Sequence, residues 1–157
     1  MRLSLILIAS VLIAVIGIRA QANNAPQWYK GSVSDFRDTV VYQALSDFGG
    51  KHYEASVYGR DLDGVAKWKP GEELPMSMLN IIANAQSAFR KQFPQFSRFK
   101  IISVNLVHLP AVDDWVFDVE FNGTDFATLG EGAFEDKKIN ILVILNGRVF
   151  TPTETAK

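Results

Sequence analysis

The sequence contains no cysteine and only two histidines. The absence of cysteine excludes several classes of protein. Without cysteine there is no disulfide framework, no thiol nucleophile, no zinc–thiolate site and no attachment point for a lipoprotein anchor. The sequence also lacks an excess of either charge, with 16 basic and 17 acidic residues in 157. A pI near 6.1 supplies no basic surface for nucleic acid, and 48% apolar residues exclude a disordered chain.

A long, uncharged and almost wholly apolar stretch stands at the N-terminus. It runs from Leu3 to Ile18 after Arg2, and Ala20-Gln21-Ala22 supplies the small residues that a signal peptidase requires. We therefore predict a signal peptide over residues 1–22, cleavage after Ala22, and a periplasmic or secreted protein. The alternative is an uncleaved N-terminal membrane anchor, although the run is shorter than the ~20 apolar residues that usually cross a bilayer.

The rest of the chain is predicted to be one domain behind a short tether. Residues 23–32 show no hydrophobic period and contain a proline, which indicates a tether, and residues 33–157 are predicted to form a single α+β domain. Without residues 1–22 the chain has 14 basic and 17 acidic residues, a net charge of −3. A domain of this length can bury a sufficient core without disulfides.

Two helices are predicted from apolar residues spaced three and four positions apart. The first spans residues 33–48 and ends at Gly49-Gly50. The second begins at Pro75 and ends before Pro94, because proline suits a first helical turn and stops a helix elsewhere. The first stripe comprises Val33, Phe36, Val40, Val41, Ala44, Leu45 and Phe48; the second comprises Met78, Ile82, Ala85, Phe89 and Phe93.

Alternating apolar and polar residues predict three strands, and a short run that is apolar on both faces predicts a fourth. They cover residues 51–59, 99–108, 115–121 and 139–145, with a long loop at 60–75, a hairpin loop at 109–114 and a long connection at 122–138. The third strand alternates most clearly, placing Trp115 and Phe117 on one face while Asp118 and Glu120 on the other are predicted to meet water. Asn146-Gly147 indicates a tight turn after the fourth strand.

These elements predict an α+β fold in which an antiparallel sheet of about four strands curls over the second helix. The order is strand, helix, strand, strand, strand, with an additional N-terminal helix. The last strand is apolar on both faces, so Leu142 and Ile144 need cover on the face away from the second helix. We predict that the first helix covers them; the alternative is a second subunit, which leaves a homodimer possible.

The pattern resembles small exported bacterial proteins with a cystatin-like or PepSY-like domain. The resemblance covers about residues 51–152 and rests on Trp68-Lys69-Pro70-Gly71, the small residues of 81–85, Trp115 and the closing segment 141–149. It implies the curled sheet and a role in binding peptidases or other partners outside the cytoplasm. The cystatin inhibitory motif Gln-x-Val-x-Gly is missing from the hairpin 109–114, so inhibition by that mechanism is not expected.

No catalytic, cofactor-binding or metal-binding set is predicted. His52 and His108 lie on strands and are interpreted as surface or packed polar residues, and no Gly-x-Ser-x-Gly elbow is present. The spacing of Asp61 and Asp63 resembles the start of an EF-hand calcium loop. The residues that follow do not supply the other ligands of such a loop, which indicates a polar turn. Asp113-Asp114 is interpreted as a solvated hairpin tip. The aromatic residues Tyr53, Tyr58, Trp68 and Trp115 could form a ligand surface, although packing is the simpler interpretation.

Two functions follow from these observations. The first is an exported, non-catalytic domain that binds a protein or peptide partner in the cell envelope, without cofactor, metal or nucleic acid. The alternative is a small-ligand carrier or an enzyme with an apolar pocket between sheet and helices, where Asp118 or Glu120 would stand at the mouth. A buried carboxylate beside a deep pocket would favour the second.

Overall fold

A computed structural model describes residues 36–48, 50–96, 98–124 and 138–155. One α-helix, one short 3-10 helix and seven strands lie in these ranges, and none of the described helices is long and apolar enough to cross a membrane. The strands are β1 Val40–Phe48, β2 Lys51–Tyr58, β3 Arg98–Leu109, β4 Asp114–Thr124, β5 Lys138–Ile144, β6 Val149–Phe150 and β7 Thr153–Thr155. The 3-10 helix is Gly59–Leu62, and the helix α1 is Met78–Gln92.

The strands form two antiparallel sheets rather than one. The first sheet has three strands in the order β1-β2-β7, and the second has four in the order β3-β4-β5-β6. The α+β class is therefore confirmed. The predicted membership of the sheet is wrong, because β2 pairs with β1 and β7 instead of joining the strands that follow the helix.

The four-stranded sheet lies between α1 and the three-stranded sheet. Its helix side buries Phe117, Phe121, Ile139, Ile141 and Val143. Phe89 of α1 stacks on Phe121 with ring centroids 4.5 Å apart, which confirms the predicted contact between helix and β4. Within α1, Ala85 and Phe89 are buried as predicted, whereas Ile81 is fully buried and Ile82 only partly, so the buried stripe is rotated slightly from the predicted one.

The predicted first helix is wrong over residues 40–48, which form β1. This strand pairs along its length with β2, and the register Phe48↔Lys51 places Gly50 in the connection between two antiparallel strands rather than at a helix end. Gly50 has a φ of 73° in this turn. The residues of β1 that point inward are Tyr42, Ala44 and Ser46, while Leu45 between them is 71% exposed. Residues 33–35 of the predicted helix lie outside the described residues.

The second face of β5 is covered by the three-stranded sheet. Leu142 and Ile144 are both fully buried, as their apolar character requires. The segment predicted to cover them does so, but as strand β1 with its partner β2 and not as a helix. A second subunit is not needed to remove these two side chains from water.

Several local predictions are confirmed. The strands β2, β3, β4 and β5 occupy the predicted segments within one to three residues, and the helix ends before Pro94. Asn146-Gly147 forms the predicted turn, with Gly147 at a φ of 88°, and the chain returns as β6. Strand β7 was not predicted. The signal peptide, the tether and most of the long connection, residues 125–137, lie outside the described residues.

Candidate functional site

One candidate site among the described residues is an apolar cleft of about 530 Å³ on the helix side of the four-stranded sheet. It lies between β3 and β4, the first turn of α1 and the loop that precedes α1. We call it the cleft; its lining residues are Trp68, Glu72, Glu73, Leu74, Ser77, Met78, Val104, Leu106 and Phe117. Its volume is within the range of 300–1,000 Å³ that is typical of ligand pockets.

The sheet supplies the floor of the cleft through the alternation of its strands. Val104 and Leu106 are alternate residues of β3, and Phe117 is the residue of β4 that stands opposite Leu106 in the register. All three therefore point to the helix side. Ile102, which the strand pattern places on the same face, is 42% exposed and does not line the cleft, because the register between β3 and β4 shifts between Ile101 and Ser103.

The loop wall of the cleft is held by its own hydrogen bonds. The indole Nε1 of Trp68 donates to the carbonyl oxygen of Glu72 at 3.0 Å, and the backbone N–H of Lys69 donates to the Glu72 carboxylate at 3.2 Å. Trp68 also meets Trp115 edge to face, with ring centroids 5.2 Å apart. Two of the four aromatic residues considered as a ligand surface therefore stand together beside the cleft.

The other two aromatic residues pack elsewhere. Tyr53 lies against Phe93 at the end of α1, with ring centroids 5.7 Å apart. The guanidinium group of Arg60 lies over the Tyr58 ring, 4.6 Å from the ring centroid. Packing is thus supported for Tyr53, whereas Tyr58 also lines a second, open pocket of about 370 Å³. The pair Trp68 and Trp115 is the part of the proposed aromatic surface that lies beside the cleft.

Lys67 fastens the loop to the hairpin between β3 and β4. Its Nζ donates to the carbonyl oxygens of Val112 and Asp113 at 2.9 and 3.1 Å, and to Asp114 Oδ2 at 2.9 Å. The side chain of Asp114 is completely buried, so the prediction of a solvated tip is wrong for this residue and correct for the exposed Asp113. The Lys67 ammonium group lies beside the buried Asp114 carboxylate, and this ion pair holds the loop against the hairpin.

A second cluster of polar side chains is buried between the two sheets. Asp118 accepts from the hydroxyl of Tyr42 at 2.9 Å and from the side-chain amide of Asn140 at 2.7 Å. The hydroxyl of Ser46 donates to the Asn140 side-chain oxygen at 3.2 Å and accepts from the Asn140 backbone N–H at 3.1 Å. These bonds join β1 to β4 and β5 across the sheet interface.

Asp118 and Glu120 do not stand at the mouth of the cleft. They point to the opposite side of the sheet from Phe117, where Asp118 is only 8% exposed and Glu120 is half-buried. The prediction that both meet water is wrong for Asp118, which the three-stranded sheet covers, whereas Glu120 is partly exposed. Glu120 is paired with Lys138 at 3.1 Å and accepts from the Ser103 hydroxyl at 3.0 Å.

Burial changes the acidity of this polar cluster. Removal from water raises the pKa of Asp118 above its usual range, against the opposing effect of the hydrogen bonds from Asn140 and Tyr42, and the nearby Glu120 raises it further. Burial and the adjacent Asp118 also raise the pKa of the Tyr42 hydroxyl, which remains protonated and donates its hydrogen bond.

We expect wild-type stability to increase relative to an Asp118→Asn variant as the pH falls from about 7 to about 4. The folded-state pKa of Asp118 lies above the unfolded value of about 3.9, so the folded protein binds the proton more tightly. The cost of burying the ionised carboxylate is thus fully present above the folded pKa and disappears below the unfolded one. Urea unfolding of both proteins across this range measures it; a difference that does not vary with pH would contradict the expectation.

Each of the two histidines contacts a carboxylate at the surface. His52 contacts Asp47 across β1 and β2, and His108 Nε2 lies 3.1 Å from Asp113 Oδ1 with its ring against Trp115. Neither imidazole bonds to a serine or threonine hydroxyl among the described residues. The interpretation as packed or surface polar residues therefore remains the simplest one.

Asp61 and Asp63 serve the local structure of the turn. Asp61 accepts from the backbone N–H of Tyr58 at 3.0 Å and pairs with Arg148 at 2.9 Å, and Asp63 pairs with Arg37 at 3.0 Å. The two carboxylates thus have separate cationic partners. Within the described ranges, no group of three or more His, Asp or Glu side chains is arranged to hold a metal ion.

The sequence indicated some of these residues and missed others. The strand pattern places Val104, Leu106 and Phe117 on apolar faces, whereas Leu74 lies in a segment with no hydrophobic period. A signal was present in the loop, since Trp68 and Leu74 are large apolar residues in a segment with no period of its own.

Comparison with known proteins finds no match: no family model, no curated protein and no solved structure is significantly similar to this chain.

Proposed function

We propose that this protein is an exported, non-catalytic domain whose cleft binds an apolar side chain of a peptide or protein partner in the cell envelope. The observation that carries the proposal is the cleft itself, an apolar space of about 530 Å³ open to the surface and walled by side chains held in place. Trp68 is fixed by its hydrogen bond to Glu72 and by Trp115, so the cleft exists before any partner arrives. Preformed walls lower the entropic cost of binding.

The apolar floor of the cleft supports the binding of an apolar group, and the two carboxylates that line the cleft, Glu72 and Glu73, lie on the exposed loop. The floor is Val104, Leu106 and Phe117, which carry no group able to transfer a proton or attack a substrate. The buried Asp118 lies on the other side of the sheet. The resemblance to cystatin-like and PepSY-like exported proteins supports the same proposal, because it implies domains that bind other proteins outside the cytoplasm.

Selection of random displayed peptides on the purified protein tests the proposal. We expect the selected peptides to share an apolar residue and to lose at least about tenfold in affinity for a Leu106→Glu variant, which places a charge on the cleft floor. The matched control is Ile102→Glu, on the same strand but exposed outside the cleft. Leu74→Glu provides a second cleft variant if Leu106→Glu does not fold, as judged by circular dichroism.

Peptides that bind Leu106→Glu and Leu74→Glu as tightly as the wild type would contradict the proposal, as would a selection that yields no binder. Tight binding of a small neutral fluorescent probe such as N-phenyl-1-naphthylamine, with no peptide selected, would instead favour the small-ligand carrier. In both experiments the Ile102→Glu variant should bind as tightly as the wild type, because Ile102 is exposed and lies outside the cleft.

The proposed export has its own measurement. We expect the mature protein, expressed with its native N-terminus in a bacterial host, to begin at Asn23 when its N-terminal sequence is determined. Recovery with Met1 in the membrane fraction would show that residues 1–22 are an anchor. Recovery with Met1 in the cytoplasm would contradict export.

A further inference from the structure

The cleft lies beside an edge strand that has no neighbour on its outer side. Strand β3 is the first strand of the four-stranded sheet, and within the described residues its backbone pairs with β4 alone. The N–H and C=O groups that point away from β4 therefore have no strand to bond with. Such a row of groups is a template for another extended chain.

One half of this edge is protected and the other half is open. The N-terminal half carries two cationic residues, Arg98 and Lys100, and the register shift between Ile101 and Ser103. Positive charges and irregularities of register are the features that commonly prevent strands from pairing edge to edge. From Ser103 to Leu109 the strand contains no lysine, arginine, acid or proline and pairs regularly with β4, which leaves seven residues able to accept a partner strand.

The open half of β3 is also the half that forms the cleft floor. Val104 and Leu106 are alternate residues within Ser103–Leu109, and both line the cleft. A strand added next to β3 would send every second side chain to the same face of the sheet. One of these side chains would meet the cleft, so edge pairing and insertion of an apolar residue are compatible in a single binding mode.

The charges at the cleft select the neighbours of that residue. Among the described residues that line the cleft, Glu72 and Glu73 are the only charged ones, and both are exposed. Lys67 is already bonded to Asp114 and two carbonyl oxygens, and Lys69 is exposed in the same loop but does not line the cleft. A basic residue near the inserted apolar one is therefore favoured over an acidic one.

We propose that the partner binds as an extended peptide that adds a strand along Ser103–Leu109 of β3, inserts an apolar side chain into the cleft and presents a basic residue to Glu72 and Glu73. This inference rests on the proposed function and specifies how the partner is recognised. Backbone pairing supplies affinity in this mode, and the cleft with its two carboxylates supplies selectivity.

The test uses the tightest displayed peptide as a synthetic probe, with a single N-methyl group placed at each backbone position in turn. We expect affinity to fall by about tenfold or more at alternate positions and by less than about threefold at those between, because only alternate amides of an added strand face β3. Hydrogen exchange should also slow at amides of Ser103–Leu109 when the peptide binds. The Ile102→Glu protein provides the control for both measurements.

The charge component is measured separately. Replacing Glu72 and Glu73 together with glutamine is expected to weaken the same peptide by about twofold to fivefold at low ionic strength, with the difference lost at high salt. Glu154→Gln, an acid on the other sheet, is the matched control and should leave the affinity unchanged.

The outcomes separate this inference from the proposed function. Affinity lost in Leu106→Glu, without alternation on N-methylation and without slower exchange in β3, would leave cleft binding intact and overturn strand addition. Sensitivity at every third or fourth position would identify a helical peptide and overturn it as well. If Leu106→Glu does not weaken the peptide but N-methylation weakens it at alternate positions, strand addition to β3 would stand and insertion of a side chain into the cleft would be overturned.

Discussion

Replacement of Lys67 with methionine is expected to lower the free energy of unfolding by about 3 kcal/mol or more. The methylene stem is largely preserved, but the ammonium that lies 2.9 Å from Asp114 Oδ2 is lost. Asp114 has no exposed side-chain surface, and its remaining contact is the Trp115 backbone N–H at 2.9 Å from Oδ1. A buried carboxylate without its cation is costly, and the carbonyls of Val112 and Asp113 lose their donor as well. Urea unfolding at neutral pH measures the loss.

Two further variants establish that the effect arises from this contact. Lys69→Met changes an exposed lysine two residues away in the same loop and should cost less than about 0.5 kcal/mol. The double variant with Lys67→Met and Asp114→Asn removes the uncompensated charge, so it should be more stable than Lys67→Met alone. Lys67→Met within about 0.5 kcal/mol of the wild type would show that the loop is not fastened as described.

The second large effect is expected from Phe89→Ala, which should lower the free energy of unfolding by about 3 to 5 kcal/mol. The Phe89 ring is fully buried at the centre of an aromatic cluster. Its centroid lies 5.3 Å from that of Phe93, 5.7 Å from Phe96, 4.9 Å from Phe99 and 4.5 Å from Phe121. Truncation removes apolar burial and leaves a cavity that four rigid rings cannot readily fill.

Leu79→Ala is the matched control for Phe89→Ala, because Leu79 lies on the same helix and is 79% exposed. Its expected cost is less than about 0.5 kcal/mol, measured in the same urea titration. The two substitutions introduce the same residue into one helix, so helix propensity contributes little to their difference. Similar losses in the two variants would mean that the aromatic cluster does not hold α1 on the sheet.

Strand β1 shows where local pattern was insufficient. Residues 40–48 contain apolar residues that fit a helical spacing, yet the side chains that face inward are those of Tyr42, Ala44 and Ser46, at a period of two. Two of these three carry a hydroxyl, so a reading by hydropathy counts them as exposed. What stabilises the strand is pairing with β2 and the bonds to Asp118 and Asn140, which lie far away in the sequence.

The candidate site was predictable only in part for the same reason. The alternation of β4 correctly assigned Phe117 and Asp118 to opposite faces, because that alternation is a property of the extended backbone. Nothing local indicated that a second sheet would bury Asp118, or that Lys67 would cross to Asp114. Leu74 and Met78 became cleft residues through the path of the loop over the sheet, which depends on contacts between distant segments.

The sequence by itself determined the elements whose signals are local. The period of two in β4, the end of α1 before Pro94 and the turn at Asn146-Gly147 follow from backbone sterics and from neighbouring residues alone. The tertiary structure decided which sheet each strand joins, what covers the second face of β5 and where the cleft forms. Those features depend on which distant surfaces exclude water from one another, and a local pattern states only that a face must be covered.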